Sequence, residues 1–234
     1  MKQLVLLHGW AMHSKMWGDF AQKLSQHYCV TLIDLPWRDN LEAIADAVVG
    51  QLDDEPFYLL GWSFGGMVAL KITERYANRV RGVMLIAANP CFVETENWSG
   101  MSQEAFNSFE QQLHENPDVT LQRFLALQVQ GLPRFLKEIK NRFAMQKMPE
   151  FIELEASLAL LKNSDLRYAL RNLTCPVAAI LSDNDMIVPV SVNQPLQALN
   201  PNLKITILNN AGHIPFVTQT ENCLNTVHVF FDGF

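Results

Sequence analysis

The run Leu59-Leu60-Gly61-Trp62-Ser63-Phe64-Gly65-Gly66 joins an apolar strand, residues 57–60, to a helix that opens at Gly66-Met67-Val68-Ala69. A Gly-x-Ser-x-Gly pattern at a strand-to-helix turn is a nucleophile elbow. Its serine takes strained dihedrals that lift the hydroxyl above the sheet, and its glycines let strand and helix pass closely. Ser63 is therefore the candidate nucleophile. The five-residue pattern is weak alone, and the strand before it and helix after it supply the context it requires.

Outward from the elbow, the chain alternates. Apolar runs at residues 4–7, 29–33 and 82–87 are separated by helical segments near 15–26 and 41–52, the latter carrying its stripe through Leu41, Ile44, Ala45, Val48 and Val49. Near-continuous apolar strands between amphipathic helices imply an α/β fold: a mostly parallel sheet of about six strands with helices on both faces. In such sheets ligands bind at the carboxyl ends of the strands. Between residues 94 and 163 the strand signals vanish and helices are expected at 103–115, from Asn116-Pro117, at 132–145 and at 149–162. This reads as a helical cap, 94–163, inserted into a core made of 1–93 and 164–234. Strands resume at 177–181 and 204–208, and a helix at 221–231 closes the chain.

Composition narrows the function. The 234 residues are 49% hydrophobic and 18% charged, enough for one sizeable core. A net charge of −6 argues against a general nucleic-acid binder. No apolar run approaches membrane-spanning length, and Met1-Lys2-Gln3 leads into the first strand without a signal-peptide pattern, so a cytoplasmic monomer is expected. Cys29, Cys91, Cys175 and Cys223 lack metal or disulfide spacing and suit reduced thiols.

A serine hydroxyl needs a base. His213, in Ala211-Gly212-His213-Ile214-Pro215-Phe216 after the last strand, is favoured because the chain order serine, acid, histidine puts the base last. His8 reads as a loop-shaping residue. The acid should follow a strand between the two, and Ser182-Asp183-Asn184-Asp185 offers two candidates, of which Asp185 is preferred and Asp183 is the alternative, as a loop cap. The oxyanion formed on attack needs two preplaced donors, expected at the backbone amides of Trp10 and Phe64. No metal or cofactor is required by this chemistry.

The motifs His8-Gly9-Trp10, Asp34-Leu35-Pro36, Gly61 to Gly66, Asn89-Pro90-Cys91-Phe92, Phe124-Leu125-Ala126-Leu127-Gln128, Asp185-Met186-Ile187-Val188-Pro189 and His213-Ile214-Pro215-Phe216 together resemble the α/β-hydrolase family and, within it, the carboxylesterases of biotin synthesis. The resemblance spans nearly the whole chain. It implies a serine carboxylesterase acting on a pimeloyl chain methylated at its far carboxyl and linked by a thioester to acyl carrier protein. It also implies substrate contacts at Trp10, Ser63, Phe64, Phe124, Leu125, Ala126, Leu127, Gln128 and His213. Two departures stand out: the usual antiparallel strands before the first parallel one are missing, and the loop after Asp34-Leu35-Pro36 is shortened to Trp37-Arg38-Asp39-Asn40.

An acidic carrier protein calls for a basic docking surface, and the cap supplies Arg123, Arg134, Lys137, Lys140, Arg142 and Lys147. On a helix from Leu132, Lys137, Lys140 and Lys147 would share one arc opposite Leu136, Ile139 and Phe143. Other readings are a general short-acyl esterase or C–C hydrolase with the same triad, and a non-catalytic receptor that binds small ligands beneath the cap. A haloalkane dehalogenase is disfavoured, since its elbow carries Asp where this chain has Ser63.

Overall fold

The computed structural model describes residues 1–146 and 149–233. The apolar runs form β1 (Gln3–Leu7), β2 (Cys29–Ile33), β3 (Phe57–Trp62), β4 (Val80–Ile86), β5 (Val177–Ser182) and β6 (Lys204–Leu208). All six pair in parallel, in the order β2-β1-β3-β4-β5-β6. The order reverses beside β1, because β2 lies on one side of it and β3 on the other. That switch point is where a parallel sheet opens a crevice. The loop leaving β1 and the elbow leaving β3 flank it, with Leu7 in register with Gly61.

The helices are α1 (Gly18–Leu24), α2 (Leu41–Val49), α3 (Phe64–Arg75), α4 (Gln103–Glu115), α5 (Pro117–Leu127), α6 (Leu136–Phe143), α7 (Phe151–Asn163), α8 (Arg167–Arg171), α9 (Asn193–Leu199), α10 (Pro215–Thr218) and α11 (Thr220–Phe231). Alternation along the strands splits the core in two. Val5, Leu59 and Val83 pack with Ile44, Val48, Val68 and Ile72 of α2 and α3. Leu4, Leu6, Leu60 and Met84 pack with Phe20, Leu24, Val227 and Phe231 of α1 and α11. Burying each such side chain contributes roughly 1.5–3 kcal/mol. Both faces are covered, which is why these strands read as continuous apolar runs rather than alternating ones.

Caps explain the helix starts. Asn40 accepts the Ala43 N–H at 2.8 Å, Ser102 that of Ala105 at 3.2 Å, and Asn116, before Pro117, that of Val119 at 3.2 Å. Two predicted helices come out shorter. Residues 14–17 form a 3-10 turn before α1, broken at Gly18, whose φ is +44° and where a Cβ would meet the Arg142 guanidinium at 2.2 Å. The helix expected over 132–145 begins as a 3-10 turn at Pro133–Phe135 and ends at Phe143. Among the described residues no helix is long and apolar enough to cross a membrane.

Candidate active site

Four strand ends carry the strain. The described non-glycine residues with positive φ are Ala11, Ser63, Ala87 and Asn210, which follow β1, β3, β4 and β6. Such dihedrals persist only where the surroundings over-determine them, and they concentrate where function demands a fixed geometry. Ser63 has φ +54° and ψ −119°, with its own N–H held by the Ile86 carbonyl at 2.9 Å. The turn is possible because of its glycines. A Cβ on Gly65 would sit 2.2 Å from the Leu7 carbonyl oxygen, and one on Gly61 would sit 2.4 Å from that of Gly65.

The loop after β6 brings His213 to the elbow. The Trp62 indole N–H donates to the His213 carbonyl at 2.9 Å, and the His213 N–H donates to the Gln128 carbonyl at 2.9 Å. The imidazole Nδ1 lies 2.8 Å from Asp185 Oδ2, with both side chains 1% exposed. The other Asp185 oxygen accepts the N–H groups of Ile187 at 2.8 Å and Val188 at 3.0 Å, so the carboxylate is fully engaged despite its burial. His213 Nε2 is buried without a hydrogen-bond partner among the described residues. That atom is the one left to take or give a proton.

Asp183 has a different task. It accepts the Asn210 N–H at 2.7 Å, while Asn184 accepts the Gly212 N–H at 2.8 Å. These bonds brace the loop that carries His213. Of the two carboxylates that the sequence leaves open, Asp185 is the one that meets the imidazole, at 2.8 Å.

His8 ties the loops after β1 and β2 together. Its Nδ1 lies 2.9 Å from the Gly9 carbonyl, and its Nε2 accepts the Leu35 N–H at 2.9 Å. That pairing fixes the neutral tautomer. Burial lowers its pKa to about 4. Beside it, the Trp10 amide donates to no backbone acceptor among the described residues, and the Phe64 amide, first in α3, has no acceptor within its helix.

Trp10 reaches further. Its indole N–H lies 3.2 Å from the Leu154 carbonyl and 3.0 Å from Ser157 Oγ, and its ring meets Phe109 and Phe124 edge-on at 5.6 and 5.4 Å. This bond to α7 is 147 residues distant in sequence, and no local pattern signals it. The apolar pocket at Ser63 is lined by Trp10, Phe92, Phe109, Phe124, Leu127 and Leu158, among others. Of the 124–128 motif, Phe124 and Leu127 therefore line the pocket. Leu125 and the Gln128 side chain are fully buried, and the Gln128 amide finds no partner among the described residues. Ala126 is half-buried and lies outside the pocket lining.

The basic residues are less uniform than the sequence implies. Lys137 and Lys140 are exposed on α6, opposite the buried Ile139 and Phe143. Arg123 is exposed and bonds Gln112 at 3.0 Å, and Arg134 lies over the Phe135 ring at 4.8 Å. Arg142 instead donates to the Met16 carbonyl at 2.8 Å and to Glu138 at 2.5 Å, holding α6 to the loop before α1. Lys147 lies outside the described residues. All four cysteines are free, with Cys29 exposed, and burial raises the Cys175 thiol to about 11.

A parallel sheet with its serine at a strained elbow and a buried acid–histidine pair on the loops after its last two strands defines a class, and the chain belongs to the alpha/beta hydrolase family, whose pattern matches residues 4–224. More particularly, it is 34% identical over 235 residues to the pimeloyl-(acyl-carrier protein) methyl ester esterase of Proteus mirabilis (strain HI4320), covering 96% of this chain and 90% of that one. It is 34% identical over 227 residues to the protein of the same name from Citrobacter koseri, covering 92% and 88%. In fold it resembles an esterase from Exiguobacterium antarcticum, with a TM-score of 0.86 at 19% identity, covering 98% of this chain and 91% of the other.

Proposed function

We propose that the protein is a serine carboxylesterase that removes the methyl ester from pimeloyl-acyl carrier protein in biotin synthesis. The observation that carries this reading is the buried Asp185–His213 pair, joined to the Ser63 elbow through Trp62, in a chain so similar to the two named esterases. Residues 1–93 and 164–234 act as the hydrolase core and 94–163 as its cap, in a cytoplasmic monomer.

Ser63 Oγ attacks the ester carbonyl carbon while His213 Nε2 takes its proton, and Asp185 holds the imidazole in the tautomer that leaves Nε2 free. The Trp10 and Phe64 amides receive the developing oxyanion, an arrangement in which each donor contributes about 3–4 kcal/mol. His213 then protonates the departing methoxide, and methanol leaves an acyl-serine. A water deprotonated by His213 attacks that ester, and the collapse returns the proton to Ser63 with a free carboxylate as product. Phe124 and Leu127 pack around the reacting end, and Arg123, Arg134, Lys137 and Lys140 steer the acidic carrier, with Arg142 supporting their helix rather than presenting its charge.

The test compares hydrolysis of methyl pimeloyl-acyl carrier protein with that of the same thioester on a small thiol, for wild type and Ser63→Ala. Wild type should prefer the carrier-linked ester, and the variant should lose at least roughly four orders of magnitude in turnover while melting normally. Near-wild-type turnover in Ser63→Ala overturns the mechanism, and equal rates on the two thioesters overturn carrier recognition.

A further inference from the structure

An ester carbonyl bound at Ser63 has two substituents to house, and two cavities meet at Trp10. The apolar pocket containing Ser63 has about 30 Å³ of free space. A water molecule needs about 10–15 Å³ of such space, so the pocket takes a methoxy group and not a seven-carbon chain. On the other side of Trp10 lies a chamber of about 200 Å³, lined by Gly9, Trp10, Leu35, Trp37, Phe64 and Glu153, among others. Trp10 borders both, and Ser63 and Phe64, one on each side, are consecutive. The indole that divides them is held in place by its bonds to Leu154 and Ser157.

We infer, building on the esterase reading above, that the substrate straddles Trp10, with its methoxy group in the Ser63 pocket and its acyl arm in the chamber, which accepts an uncharged arm and rejects a free carboxylate. Among the described residues the chamber lining includes no lysine or arginine, and its one carboxylate is Glu153. Both ring nitrogens of His8 are committed to Gly9 and Leu35, so neither is free to bind an anion. Beyond Glu153 the wall continues into an open groove that carries Asp34 and Glu150 beside His13 and Lys15, the latter donating to the Met145 carbonyl at 3.3 Å. A terminal carboxylate held inside the chamber is desolvated, meets no lysine or arginine among the described lining residues, and is set against the like charge of Glu153. A thioester at the same place is neutral. The chamber thus reads whether the far end of the chain is still esterified, and the shortened loop at Trp37 forms its outer wall.

The experiment uses three methyl esters: dimethyl pimelate, monomethyl pimelate with its free carboxylate, and methyl acetate. Wild type should favour dimethyl over monomethyl pimelate by ~100-fold or more in kcat/KM, since an unpaired buried charge is strongly disfavoured. Glu153→Gln, which retains an acceptor for the Glu150 N–H at the start of α7, should narrow that preference ~tenfold by removing the like charge. Leu35→Trp fills the half-buried mouth of the chamber and should lower the ratio of dimethyl pimelate to methyl acetate hydrolysis ~tenfold or more, as overfilling a packed site does. Equal rates on the two pimelates in wild type, or an unchanged chain-length ratio in Leu35→Trp, overturn the assignment. Failure of the esterase reading looks different. Wild type would then ignore methyl pimeloyl-acyl carrier protein whatever the two ratios show.

Discussion

The Asp185–His213 corner and the Lys137–Lys140 face of α6 handle charge in opposite ways. In the corner every carboxylate oxygen has a partner, both side chains are 1% exposed, and bonds from the side chains of Trp62, Asp183 and Asn184 and from the Gln128 carbonyl brace the loop backbone. On the face the two ammonium groups stand in solvent on a short helix. Chemistry requires the first arrangement, because proton transfer tolerates little positional error. Steering requires only the second, because a screened field acts over about 10 Å without fixed geometry. One substitution should therefore ruin the corner and only weaken the face.

The sharpest test of the corner separates its two neighbouring carboxylates. Asp185→Asn keeps the shape and lets the imidazole adopt the wrong tautomer, and it should lower kcat by about 10³–10⁴. Asp183→Asn removes charge from a bond to the Asn210 N–H, and it should cost about 1 kcal/mol of stability with turnover changed only a few-fold. Steady-state kinetics and urea unfolding on both variants check this. Comparable kcat losses in the two variants would show that bracing the loop, rather than contact with the imidazole, governs the rate.

The same pair marks how far the sequence could be read. Ser63 and His213 were legible because each sits in a motif whose turn chemistry dictates its place, and the six strands were legible because burial on both faces leaves uninterrupted apolar runs. Asp183 and Asp185 share a strand end and a residue type, and only the partners across the fold, Asn210 and His213, separate them. Arg142 shows the opposite failure. The cap's basic composition placed it among docking cations, yet its guanidinium lies over Gly18 and donates to Met16, 126 residues away in sequence. The bonds from Trp10 to Ser157 and Leu154 were illegible for the same reason, since long-range partners leave no periodicity.

His8 extends the comparison to a buried group that the proposed chemistry never titrates. Its pKa is depressed by burial from 6.5 to about 4. Between those values the unfolded chain binds a proton that the folded chain refuses. Stability therefore falls as pH drops through that window, by about 3 kcal/mol in all, at roughly 1.4 kcal/mol per pH unit. His8→Asn lacks the titration and should be less stable than wild type at pH 7, with the gap closing by about 3 kcal/mol as pH approaches 4. Urea unfolding of both proteins across that range measures it. A gap that stays constant would mean that the folded chain binds the His8 proton as readily as the unfolded one, so that neither burial nor the Leu35 N–H holds the ring neutral.

The face should yield the smallest and most conditional effect. Lys137→Glu with Lys140→Glu reverses two exposed charges without touching Ile139 or Phe143, so melting should change little. The rate on methyl pimeloyl-acyl carrier protein, relative to that on the small-thiol ester, should fall ~tenfold at low ionic strength through a slower encounter. The deficit should shrink toward ~twofold near 0.5 M salt, where the screening length falls below ~5 Å. Arg142→Ala provides the contrast within the same helix. It deletes bonds to Met16 and Glu138, so its loss should appear as a lower melting temperature and resist salt. If the lysine reversal proves salt-independent, its effect comes from contact geometry rather than field, and the face would then resemble the corner after all.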